Sequence, residues 1–512
     1  MMRAAGRRHN AQRELPPDMA AANALAAMRR SGELLLLGVL LAVYSLAYAL
    51  DFSTFYEVMN VAGPVAFTSI LCWSCYSILR QSPIAVWAPL LWFRLACAAY
   101  YGFGALVPHI VNDETLLHIY SLYYFDERLN FKVNVVYSFG IASVLLFSQL
   151  FLSMKKTYAS TWFGGTEHKG GAETLLFASL FLGAGGLLRY GFAIPYSFGL
   201  IDGVLPGIVI TLSTMYYVGI YLLIVYGVNY NRKILLLACI LIGLDIVVSV
   251  ASFAKTELLI IMIFSFLGFI SREASRTKIV VGTCCVLAAY FAFQSLVGYG
   301  REELISRYGE IRGAGLNERW EIVQSYLNGG QETVSTTNQG GLSRLSYVNA
   351  DAFVVDRYDA GIPGNTLYNA AAVLVPRVLW PDKPIITQLG TDLNLLVFRQ
   401  EGSSLGVGHF AEAYWNFGWW GIAPFMAVLA LILTVFTRFS MRMMACRKWL
   451  FLPVVFIGVK MGLRVDGFFV PDIIGAAWIA ICLGLALASV DAMIGKLTLR
   501  KRLPAQRQIR RA

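Results

Sequence analysis

Twelve apolar runs divide this chain, and most of them have the length of about 20 residues that an α-helix needs to cross a bilayer. Within lipid, every backbone polar group has to be bonded inside the protein, so only helices and closed barrels cross a membrane. Only 14% of the 512 residues are charged and the mean hydropathy is +0.61, whereas soluble domains carry roughly 25% charged residues. The pattern therefore predicts an all-α polytopic membrane protein with about twelve transmembrane helices. The runs lie at residues 33–50, 61–80, 84–107, 133–153, 172–190, 204–228, 233–252, 256–271, 278–297, 417–438, 449–466 and 472–493.

Lys and Arg residues are concentrated in every second short loop between these runs. Such residues near the ends of spans set the orientation of a membrane protein and mark the cytoplasmic side. The alternation holds along the whole chain, so we expect both termini in the cytoplasm and residues 298–416 outside. The loop residues assigned to the cytoplasm are Arg80, Lys155, Lys156, Lys169, Arg232, Lys233, Arg272, Arg276, Lys278, Arg438, Arg442, Arg447 and Lys448.

The runs and loops divide the chain into five parts. Residues 1–32 are basic and carry no signal-peptide cleavage pattern, which predicts a retained cytoplasmic tail and an uncleaved first span. Nine helices are expected in residues 33–297 and three more in 417–493. Residues 494–512 form a second basic cytoplasmic tail. The remaining part, 298–416, is one long external loop, which is periplasmic in a bacterium.

The long loop has a helical pattern of its own. Residues 301–328 and the segment that begins at Arg344 are expected to be helical, and a stretch rich in Gly, Thr, Asn and Gln between them predicts a turn. The apolar patch Leu367–Leu379 is too short to span a membrane and contains Pro376. We therefore expect an interfacial or re-entrant segment there.

The sequence lacks the common motifs of soluble enzymes. It contains no P-loop, no Gly-x-Ser-x-Gly and no His-Glu-x-x-His. Only one of the five histidines, His409, falls in the long loop, so we expect no catalytic metal and no cofactor. The net charge of the chain is +11. In a membrane protein such a basic excess usually comes from Lys and Arg in the cytoplasmic loops, so it does not indicate nucleic-acid binding. Cys72-x-x-Cys75 lies in an apolar run, which favours packing over redox chemistry.

Two segments near the end of the long loop stand out by their residue types. Residues 376–384 have the sequence PRVLWPDKP, in which three prolines fix φ and remove backbone donors beside two cations. Residues 408–418 have the sequence GHFAEAYWNFG, which places His409 and Glu412 just before an apolar run.

This pair of segments resembles the Wzy-type polymerases of O-antigen and oligosaccharide repeat units, in which PR-x-x-WP-x-KP precedes E-x-Y-x-NFG-x-x-G. The close match covers residues 374–421. The resemblance implies a metal-independent, GT-C-like glycosyltransferase in the bacterial inner membrane. Such an enzyme moves a growing glycan from undecaprenyl pyrophosphate to an incoming lipid-linked repeat unit. The resemblance also implies membrane lipids, a flippase and a chain-length regulator as partners.

Glycosyl transfer from a lipid pyrophosphate needs two kinds of side chain at the membrane surface. Cations must neutralise charge on the departing pyrophosphate, and a base must take the proton of the attacking hydroxyl. Glu412 and His409 are both candidates for the base, and the sequence does not decide between them. The predicted pyrophosphate and glycan ligands are Arg319, Arg344, Arg377, Trp380, Lys383, Tyr414 and Arg464.

These residues also have structural interpretations. Arg377 and Lys383 can anchor the loop to lipid headgroups. His409 can form a hydrogen bond at the start of a helix, and Glu412 can favour the positive end of that helix.

Two other functions remain open for the chain as a whole. One is an O-antigen ligase with lipid A–core as acceptor, although the ligase pattern has His-Asn or His-Ser where this chain has His409-Phe410. The other is a transporter or flippase of lipid-linked glycans. Transporters usually bind substrate near the bilayer midplane between repeated halves, whereas most charged candidates here lie in one loop.

Overall fold

In the part of the chain that it describes, the computed structural model of the protein consists of helices joined by turns and irregular segments, with no β-strand. That part comprises residues 17–30, 32–50, 53–111, 126–154, 171–201, 205–271, 276–309, 314–328, 345–368, 370–375, 379–380, 382–384, 388–398 and 405–509. The principal helices are α1 (Pro17–Arg29), α2 (Glu33–Leu50), α3 (Ser53–Gln81), α4 (Pro89–Cys97), α5 (Glu127–Ser153), α6 (Gly171–Leu188), α7 (Gly207–Ser213), α8 (Met215–Asn229), α9 (Arg232–Ala251), α10 (Lys255–Ile270), α11 (Arg276–Tyr308), α12 (Leu316–Leu327), α13 (Val348–Asp359), α14 (Ala370–Leu374), α15 (Gln388–Phe398), α16 (His409–Ala445), α17 (Leu452–Leu463) and α18 (Ala476–Ile509).

Ten helical stretches within the described residues are long and apolar enough to cross a membrane. They are Met19–Leu50, Thr54–Gln81, Pro89–His109, Glu127–Ser153, Gly171–Ser197, Gly207–Asn229, Arg232–Ala251, Val281–Tyr308, His409–Ala445 and Val470–Met493. The prediction of an all-α polytopic membrane protein is confirmed. The other two apolar runs form the shorter helices Glu257–Ile270 and Trp449–Leu463, so ten rather than twelve stretches meet the length for a span.

The boundaries of the long loop differ from those expected. Helix α11 continues from its apolar part to Tyr308, beyond the predicted end at residue 297. Helix α16 begins at His409 rather than near residue 417, because its first two turns are buried in the protein and do not need lipid-facing side chains. The helix changes direction at Gly418, where φ is +63°, a value that favours glycine.

Helices α5 and α16 pack against each other and run parallel. Near their first turns, Lys132 of α5 lies over the ring of Tyr414, 4.9 Å from its centroid. At their other ends, Arg438 of α16 donates to the carbonyl of Phe151 at 2.7 Å. The start of α16 therefore defines one end of the bundle, and the same end holds the C-terminus of α17, because His409 contacts the carbonyl of Arg464.

The loop helix α13 packs against this end of the bundle. Val354 and Val355 on α13 are fully buried in the same hydrophobic core as Phe410 and Tyr137. The helical pattern expected after Arg344 is thus realised from Val348 onward, and it places a segment of the long loop directly on α5 and α16.

Part of the basic N-terminal segment is also packed rather than extended. Helix α1 buries Ala24, Ala27 and Met28 against a second core that includes Met441 and Met444 near the end of α16.

Candidate functional site

Asp351 of the loop helix α13 lies at the centre of a polar cluster at the start of α16. Its side chain is fully buried and accepts a hydrogen bond from the hydroxyl of Tyr137 at 2.5 Å. It also accepts one from the backbone N–H of Gly408 at 2.9 Å, the residue that caps α16. Burial raises the pKa of Asp351 to about 7, although the bonds from Tyr137 and Gly408 oppose this shift. The carboxyl therefore changes its charge near neutral pH.

Glu412, one turn into α16, forms hydrogen bonds with two neighbouring segments. Its Oε1 accepts a hydrogen bond from Thr366 Oγ1 at 2.5 Å, and its Oε2 accepts one from the backbone N–H of Phe469 at 2.7 Å. Asn416 donates to Thr366 Oγ1 at 2.8 Å and accepts from the Thr366 N–H at 3.1 Å. The Glu-x-x-x-Asn spacing thus places both side chains on one face of the helix, where they fasten the loop around Thr366.

His409 is the first residue of α16 and is fully buried. Its Nε2 lies 2.9 Å from the carbonyl oxygen of Arg464, an acceptor, so Nε2 carries the proton in this contact. Nδ1 has no hydrogen-bond partner within the described part of the chain. In this tautomer Nδ1 carries a lone pair, so Nδ1 is the ring atom that can accept a proton.

The more open side of the cluster is formed by the residues that follow α17. The side chain of Arg464 is 37% exposed, and its Nη1 lies 4.0 Å from Asp472 Oδ1. Asp466 accepts a hydrogen bond from the hydroxyl of Tyr347 at 3.1 Å. A cation that is partly exposed and only loosely paired can bind an anionic group with little loss of existing contacts.

Two glycines just before His409 allow the backbone to approach this cluster closely. A Cβ on Gly406 would lie 2.0 Å from the carbonyl oxygen of Asp466. A Cβ on Gly408 would lie 2.5 Å from Tyr101 Oη and 2.9 Å from Asp351 Oδ2. The Gly-x-Gly sequence ahead of the helix is therefore required by packing.

Arg319 lies away from this cluster and is itself buried. It donates to backbone carbonyls of three segments: to Ala314 at 2.9 Å, Ser197 at 3.1 Å and Ala251 at 3.5 Å. Burial lowers the pKa of Arg319 to about 10, while Glu318 opposes the shift. In this conformation Arg319 joins α12 to the ends of two membrane helices, and its role in binding substrate remains a prediction.

Tyr414 is also buried, with 2% of its surface exposed. Its hydroxyl donates to Asp359 at 2.7 Å, and its ring packs against Tyr358 and Trp419. Lys132 forms an ion pair with the same Asp359. The predicted contact of Tyr414 with glycan would therefore need its ring to be uncovered.

Lys383 caps the short helix α14. Its amino group donates to the carbonyl of Val375 at 2.8 Å and to that of Ala372 at 3.2 Å, both near the C-terminus of that helix. Trp380 is 42% exposed, as a membrane-interface residue is expected to be. The predicted ligands Arg344 and Arg377 lie outside the described residues.

Three of the sequence-predicted residues are thus brought together, namely His409, Glu412 and Arg464. Sequence reasoning missed Thr366, which bonds Glu412. It also missed Asp351, which accepts from the backbone of Gly408, and Tyr137, which donates to Asp351. Asp351 carried a weak signal, because it is an acid on the apolar side of a helical segment. Tyr137 and Thr366 carried none, because their partners are remote in sequence. Within the described residues, no cluster of three or more His, Cys, Asp or Glu side chains could hold a metal ion.

Comparison with protein-family models, with curated proteins and with solved structures finds no match to this chain.

Proposed function

We propose that this protein polymerises lipid-linked oligosaccharide repeat units into O-antigen or exopolysaccharide, acting as a glycosyltransferase with undecaprenyl pyrophosphate as the leaving group. The proposal depends most on one observation: the partly exposed Arg464 lies beside the buried His409 at one end of a bundle of apolar helices. The prenyl chain of a lipid pyrophosphate lies in the bilayer, and its charged group lies at the membrane surface. One end of a bundle of apolar helices would lie at the same level.

The proposed reaction is a direct displacement at the anomeric carbon. The oxygen of an acceptor hydroxyl forms the new glycosidic bond, and the bond from the anomeric carbon to the phosphate oxygen breaks. Undecaprenyl pyrophosphate leaves with the electron pair, and the hydroxyl proton passes to a base. The configuration at the anomeric carbon is inverted. Arg464 neutralises the charge that develops on the leaving group, since a guanidinium can contact two phosphate oxygens at once.

His409 is the better candidate for the base. Both oxygens of Glu412 already accept hydrogen bonds, from Thr366 and from Phe469. Nδ1 of His409 makes no close hydrogen bond within the described residues, although the ring also interacts with the backbone of Gly467. We assign Glu412 the role of a positioning residue that fixes the start of α16. His409 is buried, so this role requires the cluster to open toward the acceptor.

The proposed topology has twelve crossings, in which the shorter helices Glu257–Ile270 and Trp449–Leu463 also span. With both termini in the cytoplasm, the starts of α16 and of α5 then lie at the outer face of the inner membrane. The C-terminus of α17 lies at the same face. This is the arrangement expected of a GT-C-like enzyme that takes lipid-linked donors from outside.

The products that accumulate in a deletion strain test the proposal. Single repeat units on lipid A–core, restored to polymer by the wild-type gene, are the expected result. Lipid-linked polymer that is not transferred to core would instead indicate a ligase. Lipid-linked units that stay on the cytoplasmic face would indicate a flippase. Purified protein should also lengthen lipid-linked repeat units in vitro without added nucleotide sugar.

A further inference from the structure

Lys460 lies within α17, one helical turn before Arg464, and was not among the binding residues named above. Residues four apart on an α-helix lie on the same face. Both side chains are partly exposed. Lys460 interacts electrostatically with Arg464, which repels it, and with Asp472 and Glu257.

A lysine in this position needs a direct partner or a polar cavity. Like charges at this spacing repel each other, and a cation within an apolar helix is costly unless it is paired or faces a water-filled cavity. The side chain of Lys460 forms no hydrogen bond or ion pair with the residues that the structure describes. Among the same residues, the side chain of Arg464 forms one ion pair, with Asp472 at 4.0 Å.

The nearby carboxylates make few direct contacts with the two cations. Glu257 lies 2.8 Å from Nη1 of Arg189 and is committed to that ion pair. Asp466 accepts the hydroxyl of Tyr347. Asp472 alone interacts with both Lys460 and Arg464. Asp466 also interacts electrostatically with Arg464, so the carboxylates balance the two cations by number. Within the described residues, however, neither cation forms a close ion pair, and both keep N–H donors for a ligand.

We propose that Lys460 and Arg464 form a two-cation subsite for the pyrophosphate of a prenyl carrier, with Lys460 as a further binding residue. The inference rests on the proposed function. A pyrophosphate presents two adjacent anionic groups, of which one suits the fork of Arg464 and the other the point charge of Lys460. Lys460 lies about 6 Å further along the helix axis, on the membrane side, where the phosphate that carries the prenyl chain would lie.

A lysine near a helix end can also extend its amino group to the interface without binding any ligand. The two roles give different results in a binding experiment. A lysine that only reaches the surface can be replaced by methionine without a change in affinity for pyrophosphate. A ligand to pyrophosphate cannot be replaced in this way, but arginine should restore binding.

The test uses the full-length protein in phosphatidylcholine nanodiscs and measures its binding of geranylgeranyl pyrophosphate. We expect Lys460→Met and Arg464→Met each to weaken binding roughly tenfold to a hundredfold, the range for loss of a charged hydrogen bond. Lys460→Arg should bind nearly as the wild type does. Lys233→Met, which removes an exposed cation at the start of α9, is the matched control and should not change the affinity. Asp472→Asn should tighten binding, because it removes the anion that competes for Arg464.

Several results would overturn the subsite. Wild-type affinity in Lys460→Met would do so. So would equal affinity for inorganic pyrophosphate, which would indicate a site for the free anion. Full competition by phosphatidylglycerol in the nanodisc would indicate a general site for anionic lipid. The outcome is separable from the polymerase proposal: normal polymer with unchanged binding in Lys460→Met rejects only the subsite. Specific binding by a wild-type protein that makes no polymer rejects only the polymerase.

Discussion

Tyr137 of α5 donates its hydroxyl to Asp351 of the loop helix α13 at 2.5 Å, and the same carboxylate accepts the N–H of Gly408. One buried acid therefore joins a membrane helix, the long loop and the start of α16. The charge state of Asp351 changes near neutral pH, so the attachment of the loop should depend on pH.

The first prediction concerns this dependence. Burial raises the pKa of Asp351 from an ordinary value near 4 to about 7. Between pH 4 and pH 7, this carboxyl is therefore protonated in the folded state and ionised in the unfolded state. The stability that this proton contributes is fully present below about pH 4 and is lost as the pH rises through 7. The size of the effect is on the order of 4 kcal/mol. The melting temperature in detergent should therefore fall between pH 5 and pH 8.

The matched variants isolate the acid that is responsible. Asp351→Asn should flatten the dependence of melting temperature on pH. Asp356→Asn, on the exposed side of the same helix, should leave it as in the wild type. An equal slope in Asp351→Asn and the wild type would contradict the assignment.

The second prediction tests the hydrogen bond between Thr366 and Glu412. Thr366→Val removes the donor of a buried bond and should destabilise the protein by about 1–3 kcal/mol. In Glu412→Gln, the amide oxygen can still accept from Phe469, and the amide nitrogen can donate to the threonine hydroxyl. The two substitutions should therefore not be additive, and a double-mutant cycle from chemical or thermal unfolding measures the coupling. Additive effects would show that the two side chains act independently.

The sequence predicted the architecture well and the site only in part. Apolar runs are dictated by the bilayer, so the helices could be found from composition. The start of α16 at His409 could not, because its first turns, with Phe410 and Glu412, are buried by protein rather than by lipid. Hydropathy does not distinguish these two environments.

The partners of the site residues depend on contacts between distant segments. Glu412 and His409 were recognised because they lie beside a helix start. Thr366 is brought to Glu412, and Asp351 to the backbone of Gly408, by the folding of the long loop, which no local pattern encodes. The contact of Lys383 with the end of α14 could not be predicted from the sequence either, because the lysine donates to backbone carbonyls, which every residue has.

The third prediction concerns the proposed base. His409→Ala should lower polymer formation by roughly a hundredfold or more, the usual contribution of general-base catalysis. His109→Ala removes an exposed histidine at the end of another helix and serves as the control. Polymer on the cell surface and protein in the membrane should be measured together, by gel analysis and immunoblot. Wild-type polymer from His409→Ala would remove the residue from the mechanism.

The fourth prediction concerns topology. Reporter fusions after Lys169, Lys233 and Lys448 should be active in the cytoplasm, and one near Gly340 should be active outside. The alternation of charged loops supports these positions, provided that the shorter helices Glu257–Ile270 and Trp449–Leu463 cross the membrane. A cytoplasmic signal at Gly340 would place the start of α16 on the wrong side for lipid-linked donors and would contradict the proposed reaction.

The fifth prediction concerns Arg377, which follows the segment that Lys383 caps. Pro376, Pro381 and Pro384 restrict the backbone on both sides of Arg377, which lowers the entropy lost when its side chain is held in place. The exposed Trp380 suits the membrane interface, where a lipid pyrophosphate has its charges. We therefore expect Arg377 to be a second guanidinium ligand of the leaving group.

The conservative substitution decides between this role and an anchor to lipid headgroups. Attraction to headgroups depends mainly on charge, so an anchoring arginine should tolerate Arg377→Lys. A ligand that contacts two phosphate oxygens should not, because lysine acts as a point charge. Loss of such a donor costs roughly 3 kcal/mol, or about a hundredfold in rate. The variant is tested in a deletion background with its membrane level checked by immunoblot, and Arg307→Lys on the end of α11, where Glu303 pairs with the arginine at 2.7 Å, is the control. Normal polymer from Arg377→Lys would favour a role in anchoring the loop to lipid headgroups. Loss of polymer in Arg377→Lys but not in Arg307→Lys would support binding of the leaving group by Arg377.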